Sequence, residues 1–211
     1  MSKLTKENRN KVIELLLKEY PDAKCALDYD SVYHLLVAVM LSAQTTDVGV
    51  NKVTPALFAK APDPYAMLEM SSEELEGYIR AIGLYKNKAK NIKAMSSVLC
   101  EKYGGEVPGD FDSLVELPGV GRKTANVVLA EAFGQQRIAV DTHVFRLSNR
   151  IGLVAEKDVL STEEALMKAI PENLWHDMHH ALIFHGRRIC SARNPKCDEC
   201  CIMQQCKKNG L

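Results

Sequence analysis

Apolar residues recur at three- and four-residue intervals along most of the 211-residue chain, and this period predicts helices. The first predicted helix spans residues 8–19, and one of its faces carries Val12, Leu15 and Leu16. Helices are also predicted after Ser31 and over residues 47–57, 72–82, 85–101, 111–116, 122–132, 142–151, 162–169 and 176–190. No segment alternates apolar and polar positions as a half-buried strand does, so the predicted fold class is all-α.

Residues that suit helix ends support these boundaries. Ser31 and Asp47 are predicted N-caps, because their side-chain oxygens can accept from free backbone N–H groups. Ser71 is followed three residues later by Glu74, the spacing of a capping box. Gly83 is predicted to end that helix, since glycine adopts the left-handed conformation of many helix ends.

Composition narrows the class of protein. The chain is 46% hydrophobic and 26% charged, as in ordinary globular proteins, and no apolar run approaches the ~18 residues of a membrane span. The polar N-terminus lacks a signal peptide's apolar centre, so we expect a cytoplasmic protein without membrane contact. Net charge is zero, but residues 25–133 hold ten basic and fourteen acidic residues, against seventeen and thirteen elsewhere. This asymmetry permits a basic face, although ordinary scatter of surface charge explains it equally well.

A glycine-rich turn lies between two of the predicted helices, in the segment Leu-Pro-Gly-Val-Gly. Pro118 stops the first helix, and Gly119 and Gly121 can adopt positive φ and allow close backbone approach. The next helix presents free N–H groups and the positive end of its dipole at this turn. The segment is therefore either a phosphate-binding hairpin or a plain helix connector.

Lys123 and Asp141 are the candidate chemical groups. Lys123 falls in the first turn after the hairpin, with Val127 and Ala130 on its own side, which predicts a partly apolar cleft. Desolvation and the positive helix end both favour the neutral, nucleophilic amine. The alternative is a phosphate-binding lysine. Asp141 is predicted to cap a helix, where accepted N–H bonds keep a carboxylate ionised.

Seven cysteines in a chain expected to be intracellular suggest a metal site more than disulfides. Four of them have the spacing C-x6-C-x2-C-x5-C: Cys190, Cys197, Cys200 and Cys206. Thiolates at this spacing suit an iron–sulfur cluster or zinc. Cys201 is adjacent to Cys200 and could compete as a ligand. The histidines are interpreted as structural or pocket-lining residues.

Residues 117–130 (LPGVGRKTANVVLA) and 140–146 (VDTHVFR) together resemble the active-site signature of the endonuclease III family. The similarity runs over nearly the whole chain, from LSAQTTD at residues 41–47 to the last cysteine of the cluster. The resemblance implies that Lys123 is the nucleophile and that Asp141 assists departure of the base.

The same resemblance extends to the cofactor and to DNA contacts. The six–two–five cysteine spacing matches the family's loop for a [4Fe-4S] cluster and selects Cys200 over Cys201. This loop contacts DNA in the family, which implies DNA binding by Arg193 and Lys196 as well as by the hairpin glycines. Gln44 and Leu84 match the positions whose side chains insert into the duplex in the family. On physical grounds alone, Gln44 is equally well explained as a solvent-facing loop residue, and Leu84 as a hydrophobic residue at a helix end.

The resemblance also implies the organisation and activity of the protein. We expect a continuous helix-hairpin-helix domain over residues 25–133, and a discontinuous iron–sulfur domain from residues 1–24 and 134–211, with the active site in the cleft between them. The expected activity is base-excision repair: a monomer removes oxidised or damaged pyrimidines from duplex DNA through a lysine Schiff base, then cleaves abasic sites by β-elimination.

Two alternatives remain. An adenine-type mismatch glycosylase shares the hairpin, aspartate and iron–sulfur loop, but lacks a lysine at the position of Lys123 and usually carries a further C-terminal domain, whereas this sequence ends shortly after the cysteine cluster. A non-enzymatic iron–sulfur DNA-binding module would need neither Lys123 nor Asp141.

Overall fold

The computed structural model describes residues 2–211, and these contain helices and no strand, which confirms the all-α prediction. The α-helices in chain order are α1 (Lys6–Glu19), α2 (Val32–Leu41), α3 (Asp47–Lys60), α4 (Pro64–Glu69), α5 (Ser72–Ile79), α6 (Tyr85–Tyr103), α7 (Phe111–Glu116), α8 (Arg122–Phe133), α9 (Thr142–Ile151), α10 (Val159–Ala169) and α11 (Trp175–Arg188). Two short 3₁₀ helices span Glu172–Leu174 and Cys197–Glu199. No helix among the described residues is long and apolar enough to cross a membrane.

The chain forms two compact units. One is Ala26–Gln135; the other combines the chain up to Cys25 with Gln136–Leu211. These limits lie one and two residues beyond the boundaries expected from the sequence.

In the continuous unit, α2 is the central helix. Every residue from Tyr33 to Leu41 is buried, and α2 packs against α3, α6 and α8. A helix that is apolar all round belongs in the centre of its unit, because burial removes its whole apolar surface from water. The hairpin connects α7 to α8, which also pack on each other, so its position is set by a helix anchored in this core.

In the discontinuous unit, α11 packs against α1 and α9, and α9 also contacts α10. Val12, Leu16, Val144, Leu147 and Leu182 belong to one shared core and are fully buried. Because α1 and α11 meet in this core, the first part of the chain becomes part of a unit whose other residues begin more than a hundred positions later.

Most of the predicted capping residues are confirmed, and two are wrong. Ser31 caps α2, and Ser71 and Glu74 form the capping box of α5. Thr46, not Asp47, caps α3; Asp47 is already its first helical residue. Gly83 does not end α5, which stops at Ile79. Helix α4 was not predicted from the sequence; it starts with proline at its first position, after an aspartate cap.

Candidate active site and metal centre

The hairpin is a tight turn between α7 and α8. The Leu117 N–H donates to Leu114 O at 3.1 Å, and the Val120 N–H donates to Leu117 O at 3.0 Å. Gly119 has φ +78°, and a Cβ at this position would lie 2.7 Å from the Asn91 Cβ, so only glycine fits here without strain.

The prediction for the second hairpin glycine needs a correction. Gly121 has φ −94° and caps α8 in an extended conformation, and a Cβ there would meet nothing within 4 Å. Neither a positive φ nor a close backbone approach therefore requires glycine at this position. Its absent side chain leaves the N-terminus of α8 accessible, and the backbone N–H groups and positive dipole end of a helix N-terminus favour an anion.

Lys123 is the second residue of α8 and is exposed. Val127, one turn later, is buried, whereas the lysine side chain is not. Lys123 is therefore more accessible than expected from the sequence, and the partly apolar cleft around it stays a prediction.

Asp141 is half-buried and caps α9, as predicted. Its Oδ1 accepts the Val144 N–H at 2.8 Å, which leaves Oδ2 available for a second partner. His143 lies in the first turn of the same helix, and burial lowers the pKa of its imidazole while the Asp141 carboxylate opposes that shift.

Gln44 and Leu84 share an unusual backbone conformation. Gln44 has φ 55° and Leu84 has φ 59°. Both angles lie in the left-handed region, which residues other than glycine rarely adopt. Both are exposed, and Leu84 keeps 58% of its surface accessible. Two exposed side chains on strained turns suit insertion into a ligand, because such strain is concentrated at functional sites.

The four predicted metal ligands line one cavity of the discontinuous unit: Cys190, Cys197, Cys200 and Cys206. Cys201 is not among the residues that line it. Burial, together with the nearby cysteines Cys201, Cys206 and Cys190, raises the pKa of the Cys200 thiol to about 11. Burial likewise raises the pKa of Cys206. Buried thiols of this kind become thiolates when a cation binds them, so the donor set fits a metal cluster.

Two polar residues line this cavity: His185, as expected of a structural or pocket-lining histidine, and Arg150, which was not predicted from the sequence. Arg150 is buried, and its guanidinium donates to Ser191 O at 2.7 Å, Ala192 O at 2.9 Å and the Cys190 Sγ at 3.5 Å. His185 Nε2 lies 3.5 Å from the Cys200 Sγ, and its Nδ1 lies 2.9 Å from the Tyr20 hydroxyl. Groups that hydrogen-bond to ligand sulfurs orient them and offset their charge.

The predicted basic loop is present at the surface. Arg193 and Lys196 are both exposed, between the first two cysteines of the set. The Lys196 Nζ lies 3.6 Å from a Glu199 carboxylate oxygen, an exposed pair that water screens strongly. Both cations therefore remain available to phosphates.

Lys88 is another site residue that was not predicted. Its position indicated burial, because it shares a helix face with Ile92, Met95 and Leu99, all buried. Only 7% of its surface is exposed, and its amine bonds to the segment that carries Gln44.

The fold and these motifs define a class of DNA-repair proteins. Residues 37–172 match the HhH-GPD superfamily of base excision DNA repair proteins. Endonuclease III of Bacillus subtilis (strain 168) is 52% identical over 190 residues, which cover 90% of this chain and 87% of that protein. Endonuclease III of Escherichia coli (strain K12) is 47% identical over 97% of both chains.

Solved structures of endonuclease III also match this chain. A non-covalent endonuclease III–DNA complex superimposes with a TM-score of 0.94 at 48% identity, over 97% of this chain and 96% of that one. A trapped endonuclease III–DNA covalent intermediate gives the same score and identity over 97% of each chain. The chain belongs to the endonuclease III family.

Proposed function

We propose that Lys123 is the nucleophile and Asp141 the assisting carboxylate of a base-excision repair enzyme that acts on damaged pyrimidines in duplex DNA. The activity is that of a DNA glycosylase followed by an abasic-site lyase. The observation that carries the assignment of Lys123 is its position: an exposed amine in the first turn of α8, directly after the hairpin. The proposed anion site therefore adjoins the amine.

The proposed reaction begins at the anomeric carbon of the damaged nucleotide. The Lys123 amine forms a bond to C1′ as the bond between C1′ and the base breaks, and the departing base takes the electron pair and a proton. Asp141 stabilises the positive charge that develops on the sugar, because a fixed carboxylate lowers the energy of a cationic transition state. The amine gives up its two protons, one to the departing base and one to O4′ as the C1′–O4′ bond breaks, and an imine remains between Nζ and C1′.

The imine explains strand cleavage. The imine acidifies the hydrogen on C2′, so a general base can remove this proton. The C3′–O bond then breaks, and its electron pair leaves with the phosphate. The strand is cut on the 3′ side of the lesion. A lysine is required for this step, since water as the nucleophile would yield an abasic site and no imine.

DNA contacts are assigned to four parts of the chain. We propose that the hairpin glycines and the basic loop, through Arg193 and Lys196, bind phosphates, which position the enzyme without reading sequence. Gln44 and Leu84 are proposed to fill the space left when the damaged nucleotide rotates out of the stack.

We propose that the cysteine cavity holds a [4Fe-4S] cluster on Cys190, Cys197, Cys200 and Cys206. When bound, the cluster supplies a rigid cross-link for the loop that carries Arg193 and Lys196. The buried guanidinium of Arg150 offsets the negative charge of the thiolates. Family membership and the presence of all four thiols in one cavity support this assignment.

Borohydride trapping tests the role of Lys123. Borohydride reduces an imine to a stable amine, so wild-type enzyme and damaged duplex should give a covalent adduct. Lys123→Ala should give none while still binding the duplex. Lys123→Arg is the sharper variant, because it keeps a phosphate-binding cation that cannot form an imine. If Lys123→Arg excised bases and cut abasic strands at the wild-type rate, Lys123 would be a phosphate ligand and the assignment would be wrong.

A further inference from the structure

The turns that carry Gln44 and Leu84 lie side by side in the continuous unit. A Cβ placed on Gly83, directly before Leu84, would lie 3.9 Å from the Gln44 carbonyl oxygen. For a residue with a side chain, the left-handed conformation is less favourable than the right-handed one, because its Cβ comes too close to the following carbonyl oxygen. Neither side chain is buried, so packing of these side chains does not offset that cost. Other contacts must hold both backbones in place.

Lys88 makes such contacts with both turns. Its backbone N–H donates to Leu84 O at 3.1 Å, the first bond of helix α6. Its side-chain Nζ donates to Ala43 O at 2.6 Å and to Thr45 Oγ1 at 3.2 Å, the two neighbours of Gln44. A third bond, at 2.8 Å, reaches Leu41 O at the end of α2.

The chemistry of this amine favours a rigid link. An ammonium has three N–H donors, and three acceptors surround the Lys88 Nζ, whereas a neutral amine could satisfy only two. Burial lowers the pKa of Lys88 and so opposes the ammonium form, whereas the match of three donors to three acceptors favours it. Hydrogen bonds from a charged donor are about twice as strong as neutral ones, so the link resists opening of either turn.

We propose that Lys88 is a positioning residue that joins the Gln44 turn to the Leu84 turn, so that both side chains enter the duplex as one rigid unit. The inference rests on the proposed insertion of Gln44 and Leu84. It differs from a purely structural role, in which Lys88 only satisfies the carbonyl groups at the end of α2.

The comparison of Lys88→Met with Lys93→Met separates these roles. Lys93 lies on the same helix and donates to Leu68 O at 3.2 Å and to Met70 O at the end of α4. Methionine keeps a similar length of apolar chain in both variants. Both should unfold at a lower temperature than wild type, because both lose bonds to helix-end carbonyls.

Insertion is measured with a duplex that holds a stable abasic analogue opposite 2-aminopurine, whose fluorescence rises when it is unstacked. Single-turnover excision of one oxidised pyrimidine is measured in parallel, at a temperature where all variants are folded. Lys88→Met should reduce the fluorescence rise and slow excision by about tenfold, as expected for loss of bonds from a charged donor. Lys93→Met should match wild type in both measurements. Equal effects of the two substitutions would overturn the inference.

A double-mutant cycle tests whether Lys88 acts through the two turns. If it does, Lys88→Met should add no further loss to a variant that already carries Gln44→Ala and Leu84→Ala. A full additional tenfold loss in that variant would refute the positioning role. Wild-type behaviour of Gln44→Ala with Leu84→Ala would instead disprove insertion itself, and the inference about Lys88 would fail with it.

If Lys88→Met does not fold, Thr45→Val tests the same link more gently. It removes only the acceptor at 3.2 Å and leaves the amine in place. We expect the fluorescence rise and the excision rate to fall about twofold to threefold, the equivalent of one weak hydrogen bond. An unchanged signal in a folded Thr45→Val protein would count against the proposal.

Discussion

Replacement of Asp141 by asparagine separates the proposed chemical role of this residue from its structural one. In the structure, Asp141 Oδ1 accepts the Val144 N–H at 2.8 Å as the cap of α9. Asparagine keeps a side-chain carbonyl oxygen at this position and is as good an N-cap as aspartate. What Asp141→Asn removes is the negative charge.

The two roles predict effects of different size. The lost attraction between the carboxylate and the helix dipole should cost about 0.3–1 kcal/mol of unfolding free energy. For a chain of this size, 1 kcal/mol lowers the melting temperature by roughly 2–4 °C, which leaves the protein folded at 25 °C. Loss of electrostatic stabilisation in the transition state should slow base removal by on the order of 100-fold or more.

The assay is single-turnover excision of one oxidised pyrimidine at 25 °C, with thermal unfolding of the same preparations. Asp158→Asn is the matched control, because Asp158 caps α10 and accepts the Ser161 N–H at 2.9 Å, but has no proposed chemical role. It should react at the wild-type rate. A preformed abasic site provides a second control, since no base departs and Asp141→Asn should be less impaired there. Wild-type excision by Asp141→Asn, or equal slowing by Asp158→Asn, would refute the assignment.

Three further predictions follow from the structure. Cys200→Ser should reduce the iron content below about four atoms per chain and abolish the brown colour, whereas Cys201→Ser should keep the iron and the colour. The reverse result, or stoichiometric zinc in the wild-type protein, would disprove the ligand set. Gly119→Ala should destabilise the protein by about 1–2 kcal/mol in denaturant unfolding because of its positive φ, whereas Gly121→Ala should unfold like wild type. Arg193→Ala should weaken binding to damaged and undamaged duplex alike and flatten the dependence of affinity on salt; a loss confined to damaged DNA would indicate lesion recognition instead.

Local features of the sequence were sufficient to predict most of the helices. Helix periodicity and caps depend on residues a few positions apart, so the capping box at Ser71 and the cap at Asp141 could be predicted directly. Helix α4 was missed, although α7 has the same length of six residues and was predicted, and although Asp63 and Pro64 are residues that suit a helix start. The assignment of Cys200 over Cys201 came from family spacing, because neighbouring cysteines are chemically alike.

Tertiary structure decided the features that depend on distant partners. Lys88 contacts acceptors 43 to 47 positions earlier, and Arg150 contacts carbonyls 41 and 42 positions later, which no local pattern specifies. The left-handed turns at Gln44 and Leu84 could not be predicted either, because intrinsic preferences oppose them and only surrounding contacts hold them. The sequence alone determined which helices form and which residue types they carry, whereas packing determined which side chains are strained, buried or accessible.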